Sequence, residues 1–196
     1  MDERTLEMKL SSRITNFAGV MNAVAVTDTG GAAMPTEAAA GRIYDLLVSL
    51  REANGTLYII GNGGSAAVAS HAVVDFLNVG RMRATTIHDS ALITCMANDF
   101  GYENAYARVL TILCRPGDVL VAISSSGRSQ NIVKAAKCFR EAGGTVITLS
   151  GFSSSNELRS VGDFNLWLDS TDYGFVEIGH QFLLHNLADR LRVGKR

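Results

Sequence analysis

Two short segments carry residue types that bind anions. Gly61-Asn62-Gly63-Gly64-Ser65 follows the apolar run Leu57-Tyr58-Ile59-Ile60 and opens a helical stretch. Glycines there let a backbone approach a ligand closely, and a helix N-terminus presents unpaired N–H groups to negative charge. With Ala66 the segment also fits G-x-G-x-x-A, the dinucleotide fingerprint, and a bare strand-to-helix turn would look the same. The second segment is Ile123-Ser124-Ser125-Ser126-Gly127-Arg128-Ser129, again between an apolar run and a helical stretch. Its serine hydroxyls and helix N-terminus form a donor-rich cup suited to a phosphate monoester. Serine also caps helices without any ligand. Two such loops at one sheet edge favour the ligand over the cap. A dinucleotide oxidoreductase would need an acidic residue about 20 positions on. Asp89 lies too far along for that role, and the serine segment would go unexplained.

Titratable residues form two further groups. His71 and Asp75 lie four apart after the first glycine segment, so they share one helical face. Glu177 and His185 lie eight apart on the last helical stretch, about two turns and roughly one side. His71–Asp75 would otherwise be a helix-surface contact, and Glu177 a first-turn acid favoured by the helix dipole. His88 beside Asp89, at a predicted strand end, reads as a solvated pair, with a substrate contact as the alternative. His180 reads as structural or as a support for other residues.

The elements that must position these residues follow from patterning. Apolar runs at 57–60, 119–123, 145–149 and 164–168, with a weaker one at 85–87, alternate with helical stretches near 65–79, 90–113, 129–142 and 174–192. Strands with no polar face alternating with helices predict a three-layer α-β-α sandwich around a five-stranded parallel sheet. Ligands in such sheets bind beyond the carboxyl ends of the strands. Residues 1–54 differ. Leu6, Leu10, Ile14, Phe17 and Met21 form one apolar stripe, 25–34 reads as a connection, and Pro35 opens a second helix carrying Ile43, Leu46, Leu47 and Leu50. The apolar faces of these two helices must be buried on a partner subunit or on their own sheet, and the pair is expected to be an N-terminal helical arm for oligomer packing, ahead of a phosphate-binding unit at 55–196.

Bulk properties narrow the class. The 196 residues are 47% hydrophobic and 19% charged with a net charge of −1, which fits one globular unit and favours neither nucleic acid nor a membrane surface. Cys95, Cys114 and Cys138 form no C-x-x-C pair, so each is expected to pack as a small apolar residue in a reducing compartment. No basic-then-apolar leader opens the sequence, so a cytoplasmic location is expected.

The two loops with His71 and Asn131, together with Asn98-Asp99-Phe100-Gly101, Gly117-Asp118-Val119-Leu120 and Val146 to Gly151, resemble the sugar isomerase (SIS) domain family. The likeness is greatest to the phosphoheptose isomerases and runs from about residue 56 to 190. The resemblance implies that Ser65, Ser124, Ser125, Ser126 and Ser129 hold a phosphate beside Gly63 and Gly64, with Asn62 and Asp99 near the sugar. It implies an aldose–ketose isomerase acting through an enediol on sedoheptulose 7-phosphate, feeding lipopolysaccharide heptose synthesis. It also implies a homotetramer whose active sites form between subunits. His71, Asp75, Glu177 and His185 fall where that family carries His, Glu, Gln and His, which bind zinc and transfer protons. Here Asp75 stands for Glu and Glu177 for Gln. Two imidazoles and two carboxylates still make a set for zinc or another divalent metal. The base is Asp75, or Glu177 if the two have exchanged roles, with His185 the third catalytic candidate. The stretch between Asp75 and Asn98 is several residues shorter than in the family and lacks its loop arginine, leaving Arg81 or Arg83 as substitutes. The rival within the family is a regulatory or scaffolding protein similar to the replication-initiator-associating protein.

Overall fold

The computed structural model describes residues 8–193. In chain order it runs α1 (Leu10–Asn22), β1 (Ala25–Asp28), β2 (Ala33–Met34), α2 (Thr36–Glu52), β3 (Thr56–Ile60), α3 (Gly64–Asn78), β4 (Arg83–Thr85) and α4 (Ser90–Phe100). There follow α5 (Ala105–Leu113), β5 (Val119–Ser124), α6 (Gln130–Glu141), β6 (Thr145–Ser150), β7 (Phe164–Trp167) and α7 (Tyr173–Val193). Every residue of β5 is buried. A strand with no wet face must be central and covered on both sides. The odd residues Val119, Val121 and Ile123 pack under α2, α3 and α7, while Leu120 and Ala122 pack under α5 and α6. That period of two builds two cores from one strand.

The sheet order is β2-β1-β7-β6-β5-β3-β4. The five strands β3 to β7 are mutually parallel, as expected, so the α/β fold holds. The expected count of five needs correcting to seven. Residues 25–34 are not a plain connection but a short hairpin, and β1 pairs antiparallel with β7, Val26 opposite Leu166. Both N-terminal helices form, and the hairpin between them ties the N-terminal segment into the same sheet as the rest. The chain passes from β3 outward to β4, then back across β3 to β5. The strand order therefore reverses between β3 and β5, the place where α/β sheets hold ligands.

One expected helix is divided. The stretch 90–113 breaks at Gly101, whose φ of 82° no helix accommodates, and a single 3-10 turn at Tyr102–Asn104 leads into α5. The stripe on α1 is only partly covered. Leu10 and Ile14 remain 75% and 60% exposed, although Phe17 meets Phe175 of α7 with ring centroids 5.9 Å apart. Leu6, the first residue of that stripe, lies outside the described residues. Between α1, α2 and α7 runs an apolar cavity of about 440 Å³ lined by Phe17, Met21, Ile43 and Phe182.

Candidate active site

The two ligand-type loops leave adjacent strands. Ile60 of β3 pairs with Ala122 of β5, so the glycine loop and the serine loop lie side by side at the carboxyl edge. Each has a glycine that no other residue could replace without strain. Gly63 takes φ 53° at the start of α3, and Gly127 takes φ 63° where a Cβ would collide with the Asn156 side chain. Neither N-cap residue caps α3 or α6 with its side chain. The Ala66 N–H goes to the Gly63 carbonyl and the Ile132 N–H to Asn131 Oδ1, which leaves the N–H groups of Gly64, Ser65, Gln130 and Asn131 to a ligand. Asn62, Gly63, Gly64, Ser65, Ser124, Ser125, Ser126 and Ser129 together line a cavity of about 250 Å³. The sequence reading assigned all eight of these residues to one site.

Within the cup the hydroxyls are unequally satisfied. Ser124 donates to Ser129 Oγ at 3.2 Å, and Ser126 Oγ accepts the Arg128 N–H at 3.3 Å. Ser125 Oγ is buried and has no hydrogen-bond partner among the described residues. A buried unpaired hydroxyl costs about 1–3 kcal/mol, a cost that a bound phosphate oxygen would remove.

Three polar side chains that the sequence reading did not place in the site hold the loops in register. Asn62 and Asn131 form a reciprocal amide pair, each amide nitrogen donating to the other oxygen at 2.9 Å. Tyr102 adds its hydroxyl to Asn62 Oδ1, also at 2.9 Å, so three loops meet at one amide. Asn156 is buried beneath Gly127 and donates to Ser150 Oγ and to the carbonyls of Gly151 and Ser153. Asn131 sat in a recognised motif, whereas nothing in the spacing marked Tyr102 or Asn156.

The histidines separate by role. His88 and Asp89 are not a solvated pair. Asp89 caps α4 by accepting the Leu92 N–H at 3.0 Å, while half-buried His88 turns inward and accepts the Gly61 N–H through Nε2 at 3.4 Å. Burial lowers the His88 pKa, which keeps that nitrogen an acceptor. Tyr106 supports the same glycine from the other side, donating to Gly61 O at 3.0 Å, and burial pushes its hydroxyl up to about 12. His180 is fully buried, with Nε2 3.2 Å from the Ser150 carbonyl, and burial lowers its pKa to about 4. It is a structural residue of α7.

The acid–base residues fall into two places. His71 and Asp75 of α3 meet His185 of α7. Asp75 Oδ2 lies 3.0 Å from His185 Nδ1 and 3.6 Å from His71 Nε2, and the two imidazoles stand 5.0 Å apart at 66°. One potential ligand atom from each lies within 4.8 Å of the others. Asp75 Oδ2 is buried, yet neither neighbour meets it at a hydrogen-bonding angle. An orphaned carboxylate oxygen between two imidazoles is a donor set that zinc would satisfy, so these residues fit a divalent ion.

Glu177 is not in that cluster. Eight residues along a helix amount to about 12 Å of rise. Its carboxylate instead lies over Gly64, where a Cβ would overlap it, and lines the serine cup together with Tyr173. The α3 N-terminus favours negative charge at that spot. Asp99 is likewise outside the cup, exposed at the end of α4 with Asn98 donating to it at 2.9 Å. Exposed Cys95 lies on the same helix, 3.6 Å from Asp99, so it does not pack as a core residue. Arg81 and Arg83 are exposed and do not line the cup.

One more residue shows strain. Phe152, just after β6, takes φ 57°, a left-handed conformation costing a bulky residue on the order of 1–3 kcal/mol. Its ring stands edge-on to Tyr173, with centroids 4.8 Å apart at 73°.

Known proteins are similar to this chain in sequence and fold. The family model described as SIS domain matches residues 32–151. The chain is 35% identical over 159 residues to the phosphoheptose isomerase of Mycobacterium tuberculosis (strain ATCC 25177 / H37Ra), covering 78% of this chain and 81% of the relative. It is 34% identical over 192 residues to that of Bordetella avium (strain 197N), covering 93% and 94%. The solved phosphoheptose isomerase from Francisella tularensis superposes with a TM-score of 0.81 at 26% identity, covering 97% of this chain and 98% of that one. The one from Neisseria gonorrhoeae gives 0.74 at 25% identity, covering 94% and 100%. The chain belongs to the SIS-domain family and, within it, is a phosphoheptose isomerase-like enzyme.

Proposed function

We propose that this enzyme interconverts a ketose phosphate and an aldose phosphate through an enediol, with sedoheptulose 7-phosphate as its substrate. The observation that carries the reading is a single cavity lined by both the serine cup and the Glu177 carboxylate. The substrate is argued from the relatives named above, which cover most of the chain.

The serine cup and the uncapped helix ends hold the phosphate and so fix the carbon chain. Glu177 removes the proton from C1, which the neighbouring carbonyl acidifies, and the C2 oxygen gains a proton to give the enediol. Return of a proton to C2, with loss of one from the C1 hydroxyl, leaves the aldehyde. C1 is oxidised as C2 is reduced, so no external redox partner is needed. Asp75 and His185, 3.0 Å apart, form the second proton-handling pair, acting at the substrate oxygens. A zinc or other divalent ion held by His71, Asp75 and His185 would supply Lewis-acid stabilisation of the developing oxyanion.

In one protomer the cup lies at the N-terminal ends of α3 and α7, while the His71–Asp75–His185 cluster lies farther along the same helices. The same two helices carry exposed apolar side chains, Val74 and Leu77 on α3 and Ile178 and Phe182 on α7. We read this apron and the uncovered stripe of α1 as subunit contacts of a homotetramer, in which one subunit's cluster completes another's cup. The free thiols are consistent with a cytoplasmic enzyme.

The deciding experiment is NMR of sedoheptulose 7-phosphate incubated with the enzyme and zinc in D2O. Deuterium at the carbon next to the carbonyl, together with an aldose product, is the expected result. Tight binding without exchange would instead make the protein a phosphosugar-responsive regulatory or scaffolding member of the family.

A further inference from the structure

The cup accounts for the phosphate and Glu177 for the reacting carbons, which leaves the carbon chain between them. In ketose phosphates of different length the carbonyl is at one end and the phosphate at the other. Whatever touches the intervening carbons reads the length. Tyr173 is placed there. It lines the same cavity as the cup and Glu177. It lies four residues before Glu177 on α7, so both side chains share one helical face. Its ring is 59% exposed, as a wall facing an open cavity would be.

The ring is also held. Phe152 packs edge-on against it from the left-handed backbone position after β6, and the Phe152 N–H donates to Ser170 O at 2.9 Å. Asp172 fixes the start of α7 by accepting the Phe175 N–H at 3.1 Å and the Arg13 guanidinium at 2.6 Å. A strained residue that packs on a cavity-lining side chain is a common sign of a site that needs a set geometry.

We propose that Tyr173 is a specificity-determining wall that packs on the carbon chain of the substrate between its phosphate and its reacting carbons, with Phe152 as its positioning residue. The inference rests on the isomerase reading above. Its test compares kcat/KM for ketose phosphates of five, six and seven carbons in the wild type, Tyr173→Ala, Tyr173→Phe and Phe152→Gly. Inorganic phosphate affinity and thermal melting are followed for each. Tyr173→Ala is expected to change the seven-to-five-carbon ratio by about 10-fold or more, with phosphate affinity held within about twofold. Tyr173→Phe keeps the wild-type ratio, and Phe152→Gly shifts it in the same direction as Tyr173→Ala. A purely structural Phe152 would move the melting temperature and leave the ratio alone. A ratio unchanged in Tyr173→Ala overturns the proposal. If the wild type turns over none of the three sugars, the isomerase reading fails, and the same ratio is read from calorimetric Kd values.

Discussion

Ser125 offers a separation of binding from folding at the scale of one residue. Its buried hydroxyl has no partner among the described residues, so Ser125→Ala removes a group that the fold does not use. We expect a melting temperature unchanged or slightly raised, with phosphosugar affinity at least about 10-fold weaker by calorimetry. Glu177→Gln keeps the shape and removes the base. Its kcat is expected to fall about 100-fold or more with little change in KM, and deuterium exchange at carbon should fall in step. His180 makes a pH prediction. Its folded pKa of about 4 lies below the ordinary 6.5, because burial disfavours the charged ring. The unfolded chain therefore binds the extra proton first. Stability from the neutral ring is complete above about pH 6.5 and is lost as the pH falls toward 4, on the order of 3 kcal/mol in all. Urea titrations at pH 7 and pH 4.5 should show that loss, and His180→Gln should show much less of it.

Between residue and fold stand the turns that carry the loops. Gly127→Ala would force a Cβ into Asn156 at a left-handed φ, and we expect it to cost about 2–4 kcal/mol by denaturant unfolding and to weaken phosphate binding at once. Asn156 also shows where sequence reading ran short. The serine loop was legible because hydroxyls and glycines between a strand and a helix have few other uses. The side chain that braces that loop arrives from 29 residues farther along the chain, with no motif of its own. The hairpin at 25–34 was missed for a different reason. Its strands are only four and two residues long, and they border the sheet where polar residues are tolerated. Helix α4 was legible as a helix, but its end was not. Only the φ of Gly101 stops it.

Whole-molecule architecture decides where chemistry is assembled. A single chain separates its cup from its His71–Asp75–His185 cluster, and the two helices that carry the cluster also expose apolar side chains. If the proposed homotetramer shares its sites, mixing Glu177→Gln chains with Asp75→Ala chains, followed by dissociation and reassembly, should restore a fraction of wild-type activity, because some sites then receive one intact half from each. Sites contained in a single subunit would show no recovery. Ile178→Glu, which puts a charge into the apron, should lower the assembled mass by light scattering and abolish activity with it.

The sequence by itself determined the class of fold and the nature of the anion site. Fully apolar strands can only be central, and serine and glycine loops at their carboxyl ends have a chemistry that survives any detail of packing. The four acid–base candidates were also legible as residues, through the family pattern. Their grouping was not. Helical periodicity relates residues on one helix, but which pair meets across two helices depends on how α3 and α7 lie against each other. That packing joins Asp75 to His185 and sends Glu177 to the serine cup. Tyr173 and Phe152 were silent in the sequence for the same reason. An aromatic wall is defined by what it faces, and only the tertiary structure supplies the facing side.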